Sequence, residues 1–239
     1  MKFLDYLKAL FFPKDIKCII CDEDIFNNEK YCICDKCKSK LKINDNGCNK
    51  CGAPLHSLAK FCMRCKNDTY YFDKALSPFI YDGEIKNLIY KIKYANAKYL
   101  FENIGNILSD FYIDKKLNCD LIMYVPMHPK RQKKRGYNQA EQIANVVSKN
   151  LSLPISNKNL TKINYITNQT KLTAKQRREN IKNSFAIQNK DEIKDKNILL
   201  IDDVFTTGAT TNEISKLLKQ NGSKSITVLT VAHTDHNHI

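Results

Sequence analysis

Residues 197–210 read NILLIDDVFTTGAT, and the fold class is predicted from this segment and the residues around it. It opens with an apolar run typical of a buried strand, which ends in two aspartates and a loop rich in small residues. The segments that follow predict a helix over 211–220, closed by Asn-Gly, and a second apolar strand over 225–232. Such a strand–helix–strand unit predicts an α/β fold, with a parallel sheet flanked by helices. Ligands bind these sheets at the carboxyl ends of the strands, so the loop after the first strand is the first candidate site.

The loop combines two kinds of polar group. Asp202 and Asp203 leave the strand as adjacent carboxylates, which suit sugar hydroxyls or a bound cation. Five small residues then run into a helix start, where backbone N–H groups, hydroxyls and the helix dipole favour a phosphate: Thr206, Thr207, Gly208, Ala209 and Thr210. A ribose 5-phosphate satisfies both halves. The alternative is an ordinary strand-to-helix turn with a capping threonine. Neither the P-loop pattern nor the dinucleotide-binding glycine pattern is present.

The rest of the chain divides into a cysteine-rich N-terminal module, residues 1–70, and an α/β domain, residues 71–239. In the second part we predict strands over 75–81, 121–126 and 184–188, and helices over 84–112, 138–150 and 173–182. A break in the long helix is predicted near 95–97, and residues 3–11 have the apolar spacing of a helix packed on the next module. No segment is apolar enough to predict a membrane span, and without an export signal we expect a cytoplasmic protein.

The cysteines predict a metal-binding module. Nine of the ten lie between residues 18 and 65, and eight form four C-x-x-C pairs: Cys18/Cys21, Cys34/Cys37, Cys48/Cys51 and Cys62/Cys65. In a reducing compartment, pairs at this spacing are more often metal ligands than disulfides. Eight thiolates supply two structural zinc sites with four ligands each, and the regular spacing favours zinc over an iron–sulfur cluster. Spacing leaves two arrangements open, one that joins consecutive pairs and one that interleaves them. Gly52, directly after Cys51, predicts a positive φ in one knuckle.

The net charge of +14 invites a nucleic-acid interpretation, which the type of basic residue narrows. Most of the 39 basic residues are lysines, as expected of a solvated surface. Arginine is rare, and four of the arginines form two pairs, Arg131 with Arg135 and Arg177 with Arg178. The first pair follows a predicted strand, where guanidinium groups would bind phosphate oxygens bidentately. The alternative for this basic segment is a solvated loop.

Further stretches complete a resemblance to a known family. ILLIDDVFTTGAT resembles the phosphoribosyl pyrophosphate (PRPP) binding motif of type I phosphoribosyltransferases. VPMHPKRQKKRGYNQAEQIA (125–144) and QTKLTAKQRRENIKNSF (169–185), behind the paired cysteines, are similar to the ComF competence proteins of bacteria. The resemblance implies a type I phosphoribosyltransferase-like sheet, preceded by a small zinc-binding module.

The same resemblance implies roles for individual residues. Asp202 and Asp203 would hold the ribose hydroxyls and, through water, Mg²⁺, while the loop 206–210 would hold the 5′-phosphate. Arg131 and Arg135 would face the pyrophosphate. Residues 160–182 correspond to a mobile loop that closes over PRPP, which would bring Arg177 to the ligand.

Two functions in natural transformation follow from the resemblance. The first is a Mg²⁺-dependent phosphoribosyltransferase, in which a nucleophile displaces pyrophosphate at C1 of the ribose; the sequence identifies neither the acceptor nor a general base. The second is a non-catalytic module that senses PRPP or nucleotides, or that handles incoming single-stranded DNA. The implied partners are PRPP, single-stranded DNA and a competence helicase or another uptake protein.

Overall fold

The computed structural model describes residues 17–25, 31–55, 57–94, 99–163 and 183–235 of the 239-residue chain. Its helices are α1 (Asp35–Lys38), α2 (Met63–Asn67), α3 (Gly83–Tyr94), α4 (Tyr99–Asp114), α5 (Pro129–Arg135), α6 (Gln139–Leu151) and α7 (Ala209–Gln220). Its strands are β1 (Lys74–Leu76), β2 (Phe79–Ile80), β3 (Leu121–Tyr124), β4 (Leu160–Lys162), β5 (Phe185–Ile187), β6 (Asn197–Phe205) and β7 (Ser225–His233). The helices predicted over 3–11 and 173–182 lie outside the described residues. None of the helices in the described ranges is long and apolar enough to cross a membrane.

The main sheet is parallel, as the sequence predicts. Its order is β1–β7–β6–β3, and β2 also pairs with β7. The pairing of β6 with β7 runs from Asn197 opposite Ser225 to Phe205 opposite His233. Helix α7 connects these two strands, which is the predicted strand–helix–strand unit. Strands β4 and β5 form a separate antiparallel pair.

Strand β6 is longer than its apolar run. It continues through the two aspartates to Phe205, because β7 extends to His233 and keeps pairing beside it. Helix α7 correspondingly begins at Ala209, two residues before the predicted start. The strand predicted over 75–81 is divided into β1 and β2 around Pro78, a residue with no N–H to donate to a ladder.

The sheet is buried on both faces. Within β6, Leu199 and Ile201 belong to one apolar cluster, and Ile198 and Leu200 belong to another. The first cluster contains buried residues of α3, α4 and α6, and the second contains those of α7, β4 and β5. We call these the α3 face and the α7 face. Burial on both faces explains why β6 begins with a continuous apolar run instead of an alternating one.

The described residues of the two cysteine-rich segments, 18–37 and 48–65, pack on opposite faces of this sheet. Ile19 and Ile33, from the first segment, are part of the cluster on the α3 face. Cys51 and Ala53, from the second, are part of the cluster on the α7 face. The buried apolar residues of both segments therefore share the cores of the α/β domain, across the domain boundary predicted at residue 70.

Candidate functional site

The eight paired cysteines form two groups of four. The groups are Cys18, Cys21, Cys34 and Cys37, and Cys48, Cys51, Cys62 and Cys65, and within each the sulfur atoms lie within 4.8 Å of one another. Consecutive C-x-x-C pairs therefore share a group, which resolves the pairing that spacing left open. The Cys21 and Cys34 sulfurs are 3.7 Å apart, and those of Cys51 and Cys62 are 3.6 Å apart. Four sulfurs around zinc, at about 2.3 Å each, lie about 3.8 Å from one another, so both groups fit a tetrahedral zinc ion.

Backbone hydrogen bonds favour the thiolate form of the first cysteine of each group. Burial acts to raise the pKa of Cys18, but backbone N–H groups around its sulfur outweigh burial and bring the pKa to about 7. The same balance brings the pKa of Cys48 to about 7. The N–H of Cys34 donates to the Cys18 sulfur at 3.4 Å, and the N–H of Cys62 donates to the Cys48 sulfur at 3.3 Å. These bonds stabilise the thiolates, the form in which cysteine ligates zinc.

A second site, a cleft of about 290 Å³, opens at the carboxyl ends of β3 and β6. Six predicted residues line it: Arg131, Arg135, Asp202, Asp203, Thr206 and Thr210. Among the lining residues that the sequence did not predict are Lys93, His128, Asn138, Gln139 and Lys162. Among the residues that the structure describes, the lining has four lysine and arginine side chains against two carboxylates, so this part of the cleft favours an anionic ligand.

The two arginines reach the cleft from a helix that the sequence pattern did not predict. Helix α5 begins at Pro129, a residue suited to the first helical position, and a ring nitrogen of His128 caps it by accepting a backbone N–H at 3.2 Å. It ends at Arg135 and is capped by Gly136, which has a φ of +88°. Arg131 and Arg135 are four residues apart and share one helix face. The basic segment is thus a helix that brings both guanidinium groups to the cleft.

The two aspartates have different surroundings. The Oδ1 atom of Asp202 accepts the N–H of Asp203 at 2.9 Å. Burial, with a further contribution from the Asp203 carboxylate, raises the pKa of Asp202 to about 7. Asp203 is instead paired with Lys93 of α3, with 2.7 Å between Oδ2 and Nζ. On β4, burial and the nearby Arg131 lower the pKa of Lys162, which the charge of Asp202 opposes.

The threonine-rich turn contributes hydroxyls from both of its ends. Thr206 and Thr210 line the cleft, whereas Thr207 and Gly208 form the turn between them and Ala209 begins α7. Gly208 precedes α7 with a φ of +73°, and a Cβ there would lie 2.5 Å from the Phe205 ring. Only glycine fits that position without displacing its neighbours. The first turn of α7 reaches the cleft through Thr210.

The start of α6 supplies two amide side chains. The Oδ1 atom of Asn138 caps the helix by accepting the N–H of Ala140 at 3.1 Å, and its Nδ2 donates to the Val125 carbonyl at 3.0 Å. Gln139 is only 3% exposed, and its Nε2 has no hydrogen-bond partner within the described residues. A buried donor without a partner is costly, so Gln139 is a candidate donor to a bound ligand.

The remaining predicted contact cannot be placed, because Arg177 lies outside the described residues. Among the described lining residues, Lys93 and Lys162 are the lysines that sequence reasoning missed. No motif marks either residue, and lysine is the common surface residue of this chain. His128 and Asn138 had a weak signal, since both stand just before helices in the segment 125–144.

The fold and these two sites define a class: a phosphoribosyltransferase-like α/β protein with two four-cysteine zinc sites in its N-terminal part. The double zinc ribbon domain family matches residues 7–66, and the phosphoribosyl transferase domain family matches residues 133–238. The chain is 32% identical to Competence protein F of Haemophilus influenzae, over 90% of this chain and 95% of that protein. It therefore belongs to the competence protein F (ComF) family, and the resemblance stated from the sequence is confirmed.

Other relatives are more distant. Competence protein ComFC of Streptococcus pneumoniae is 25% identical over 88% of this chain and 97% of that protein. DNA utilization protein YhgH of Escherichia coli is 24% identical over 84% of this chain and 90% of that protein. Among solved structures, a purine phosphoribosyltransferase from Pyrococcus horikoshii is similar over 56% of this chain and 74% of that chain, with a TM-score of 0.36 and 16% identity.

Proposed function

We propose that the cleft binds PRPP. The observation that carries the proposal is the convergence, in one cleft, of an acidic pair, two threonine hydroxyls and two arginines: Asp202, Asp203, Thr206, Thr210, Arg131 and Arg135. PRPP presents ribose hydroxyls, a 5′-phosphate and a pyrophosphate, and each has matching groups here. The excess of cations in the cleft suits the negative charge of both phosphate-bearing ends.

Each part of the ligand is assigned to one wall. The turn 206–210 and the first turn of α7 bind the 5′-phosphate, as helix N-termini commonly do. The aspartates accept hydrogen bonds from the ribose hydroxyls. Arg131 and Arg135 bind the pyrophosphate, and Arg177 stays a proposed contact. In a transfer reaction, an acceptor forms a bond to C1 while the bond from C1 to pyrophosphate breaks, and pyrophosphate leaves with the electron pair toward the arginines.

The resemblance to phosphoribosyltransferases also implies a Mg²⁺ ion in the cleft. The surroundings of the cleft carboxylates indicate whether such an ion fits. Within the described part of the cleft they are Asp202 and Asp203. Asp203 is paired with Lys93 at 2.7 Å, and Asp202 accepts a backbone N–H. Mg²⁺ requires near-octahedral oxygen coordination, and the Lys93 ammonium beside Asp203 repels a cation at that carboxylate, whether the ion binds directly or through water, so this arrangement does not fit the ion. We therefore assign no step to a protein-bound Mg²⁺ ion.

The names of the relatives suggest the process that the cleft serves. Two of the relatives are named a competence protein and a DNA utilization protein. We propose that this chain, like them, acts in the uptake or use of incoming DNA. Zinc thiolates persist in a reducing compartment, so the proposal includes a cytoplasmic location.

A second candidate function, binding of single-stranded DNA, is favoured by the surface beside the cleft. Tyr90 and Tyr94 of α3 are 64% and 63% exposed, and their ring centroids are 4.8 Å apart. The guanidinium of Arg135 lies over the Tyr94 ring at 5.4 Å. Exposed aromatic rings beside cations suit stacked bases and a phosphate backbone. Binding should therefore weaken with salt, and Arg135→Met should reduce that salt dependence.

Thermal unfolding with and without PRPP tests the first function. PRPP at a hundred times its Kd should raise the melting temperature of the wild type by about 5–10 °C. Arg131→Met should lose most of this shift, whereas Lys133→Met, an exposed position of the same helix, should keep it. A wild type that PRPP does not stabilise, or two variants that lose the shift equally, would contradict the proposal.

A further inference from the structure

Lys93, at the carboxyl end of α3, forms an ion pair inside the cleft. Its Nζ atom is 2.7 Å from Oδ2 of Asp203, and the two side chains are only 26% and 15% exposed. At this distance and exposure the pair is a charge-assisted hydrogen bond that is partly shielded from water and salt. The lysine thus occupies one side of the carboxylate that would otherwise face the ligand.

The residues on both sides of Lys93 are held by the end of α5 and the segment that follows it. The carbonyl of Ile92 accepts a hydrogen bond from the buried Tyr137 hydroxyl at 2.8 Å. The Tyr94 ring lies under the Arg135 guanidinium, 5.4 Å from the ring centroid. The last turn of α3 is therefore anchored, and Lys93 is a fixed part of the cleft wall instead of a freely moving surface lysine.

From this geometry we propose that Lys93 is a positioning residue that replaces a divalent cation. It neutralises Asp203 and holds that carboxylate toward the ribose hydroxyls, so a ribose 5-phosphate ligand binds without Mg²⁺. The inference rests on the proposed function, because it concerns the same ligand.

Charge explains why the site needs such a residue. A phosphate-bearing sugar brings negative charge next to two carboxylates, and an unpaired Asp203 would repel it. A divalent cation or a lysine can remove this repulsion. The Lys93 ammonium already lies within hydrogen-bond distance of the Asp203 carboxylate, and it belongs to the chain itself.

The test uses ribose 5-phosphate, whose single phosphate holds Mg²⁺ less tightly than pyrophosphate does. Its Kd is measured by calorimetry on the zinc-loaded protein, in buffer cleared of divalent cations with a chelating resin, and again with added Mg²⁺. The wild type should bind equally in both buffers, within about twofold. Lys93→Met should bind about tenfold more weakly without Mg²⁺ and recover when Mg²⁺ is added, since a charged hydrogen bond of this kind contributes about that much.

Two further variants separate charge from structure. Lys93→Arg keeps the charge and should stay independent of Mg²⁺, and Lys86→Met, at an exposed position of the same helix, should behave as the wild type. A wild type that loses affinity tenfold without Mg²⁺ would overturn the role of Lys93 and leave the proposed function standing, even if Lys93→Met does not fold. A wild type that binds ribose 5-phosphate in neither buffer would overturn both.

Discussion

Gly52 lies where the second zinc ribbon, the segment 48–65, packs against strand β1 of the main sheet. Replacing it with alanine should disrupt this packing. Its φ is +72°, and a Cβ at this position would lie 2.6 Å from the carbonyl oxygen of Ala75 in β1. Its own carbonyl accepts a hydrogen bond from the buried Asn44 amide at 2.9 Å. Neither neighbour can move aside as a flexible side chain would, because Ala75 is part of a paired strand and Asn44 is buried.

The cost of Gly52→Ala has two parts. A residue with a Cβ in the left-handed region loses about 1–2 kcal/mol relative to glycine. Moving a backbone segment away from an overlapping atom adds about 1–3 kcal/mol, the usual range for overpacking. We therefore expect the free energy of unfolding to fall by about 2–5 kcal/mol. Gly83→Ala is the matched control, because Gly83 has a φ of +44° and a Cβ added there would meet no atom within 4 Å, so only the first part applies.

Urea unfolding followed by far-ultraviolet circular dichroism measures both variants, and the chain has no tryptophan for fluorescence. The midpoint multiplied by the denaturant dependence gives the free energy of unfolding of each protein, and the loss is its difference from the value of the wild type. Gly52→Ala should lose about 1–3 kcal/mol more than Gly83→Ala, and this difference is the contact with β1. Equal losses in the two variants would refute the packing of the second ribbon against the sheet.

Two other predictions concern the metal sites and the cleft. Cys18→Ser and Cys48→Ser should each reduce bound zinc from two ions to one per chain and lower the melting temperature, because structural zinc contributes directly to folding. Metal analysis of the purified variants measures the bound zinc, and two retained ions would contradict the assignment of the zinc ligands. Gln139→Glu should weaken PRPP binding at least tenfold, because it replaces a buried donor with an acceptor. Asn145→Asp, an exposed change of similar charge on the same helix, should leave the calorimetric Kd unchanged; equal affinity of Gln139→Glu and the wild type would show that Gln139 does not face the ligand.

The parts of the cleft that the sequence predicts lie in two continuous segments, residues 202–210 and the segment of Arg131 and Arg135, and each of them follows a predicted strand. Asp202, Asp203 and the turn after them follow a strand and precede a helix, so local pattern places them at a strand end. The four C-x-x-C pairs were predictable for the same reason, since each pair is contained in one short local segment. Their grouping needed the structure, because it depends on how two knuckles meet in space.

Residues that reach the cleft from distant elements were not predictable in the same way. Lys93 lies in the last turn of α3 and Lys162 ends β4, and only the packing of the chain brings them beside the aspartates. Nothing local distinguishes them from the lysines that cover the surface. Helix α5 was missed for a different reason: its run of basic residues resembles a solvated loop, although Pro129 and Gly136 stand where helix boundaries commonly have proline and glycine.

Helix α3 gives the first zinc ribbon a physical connection to the cleft. Lys91 donates to the Ile20 carbonyl at 2.7 Å and to the Asp22 carboxylate at 2.6 Å, both in the first knuckle. Two residues further, about 200° around the helix, Lys93 points away from the ribbon and pairs with Asp203. The apolar side of α3 packs in the same cluster as the first cysteine group. The position of Lys93 therefore depends on a helix that the first ribbon helps to hold, whereas the second ribbon packs against β1 on the opposite face. The first zinc site does not itself contact the proposed phosphate ligand, but it helps to hold α3, and α3 places Lys93 in the wall of the cleft.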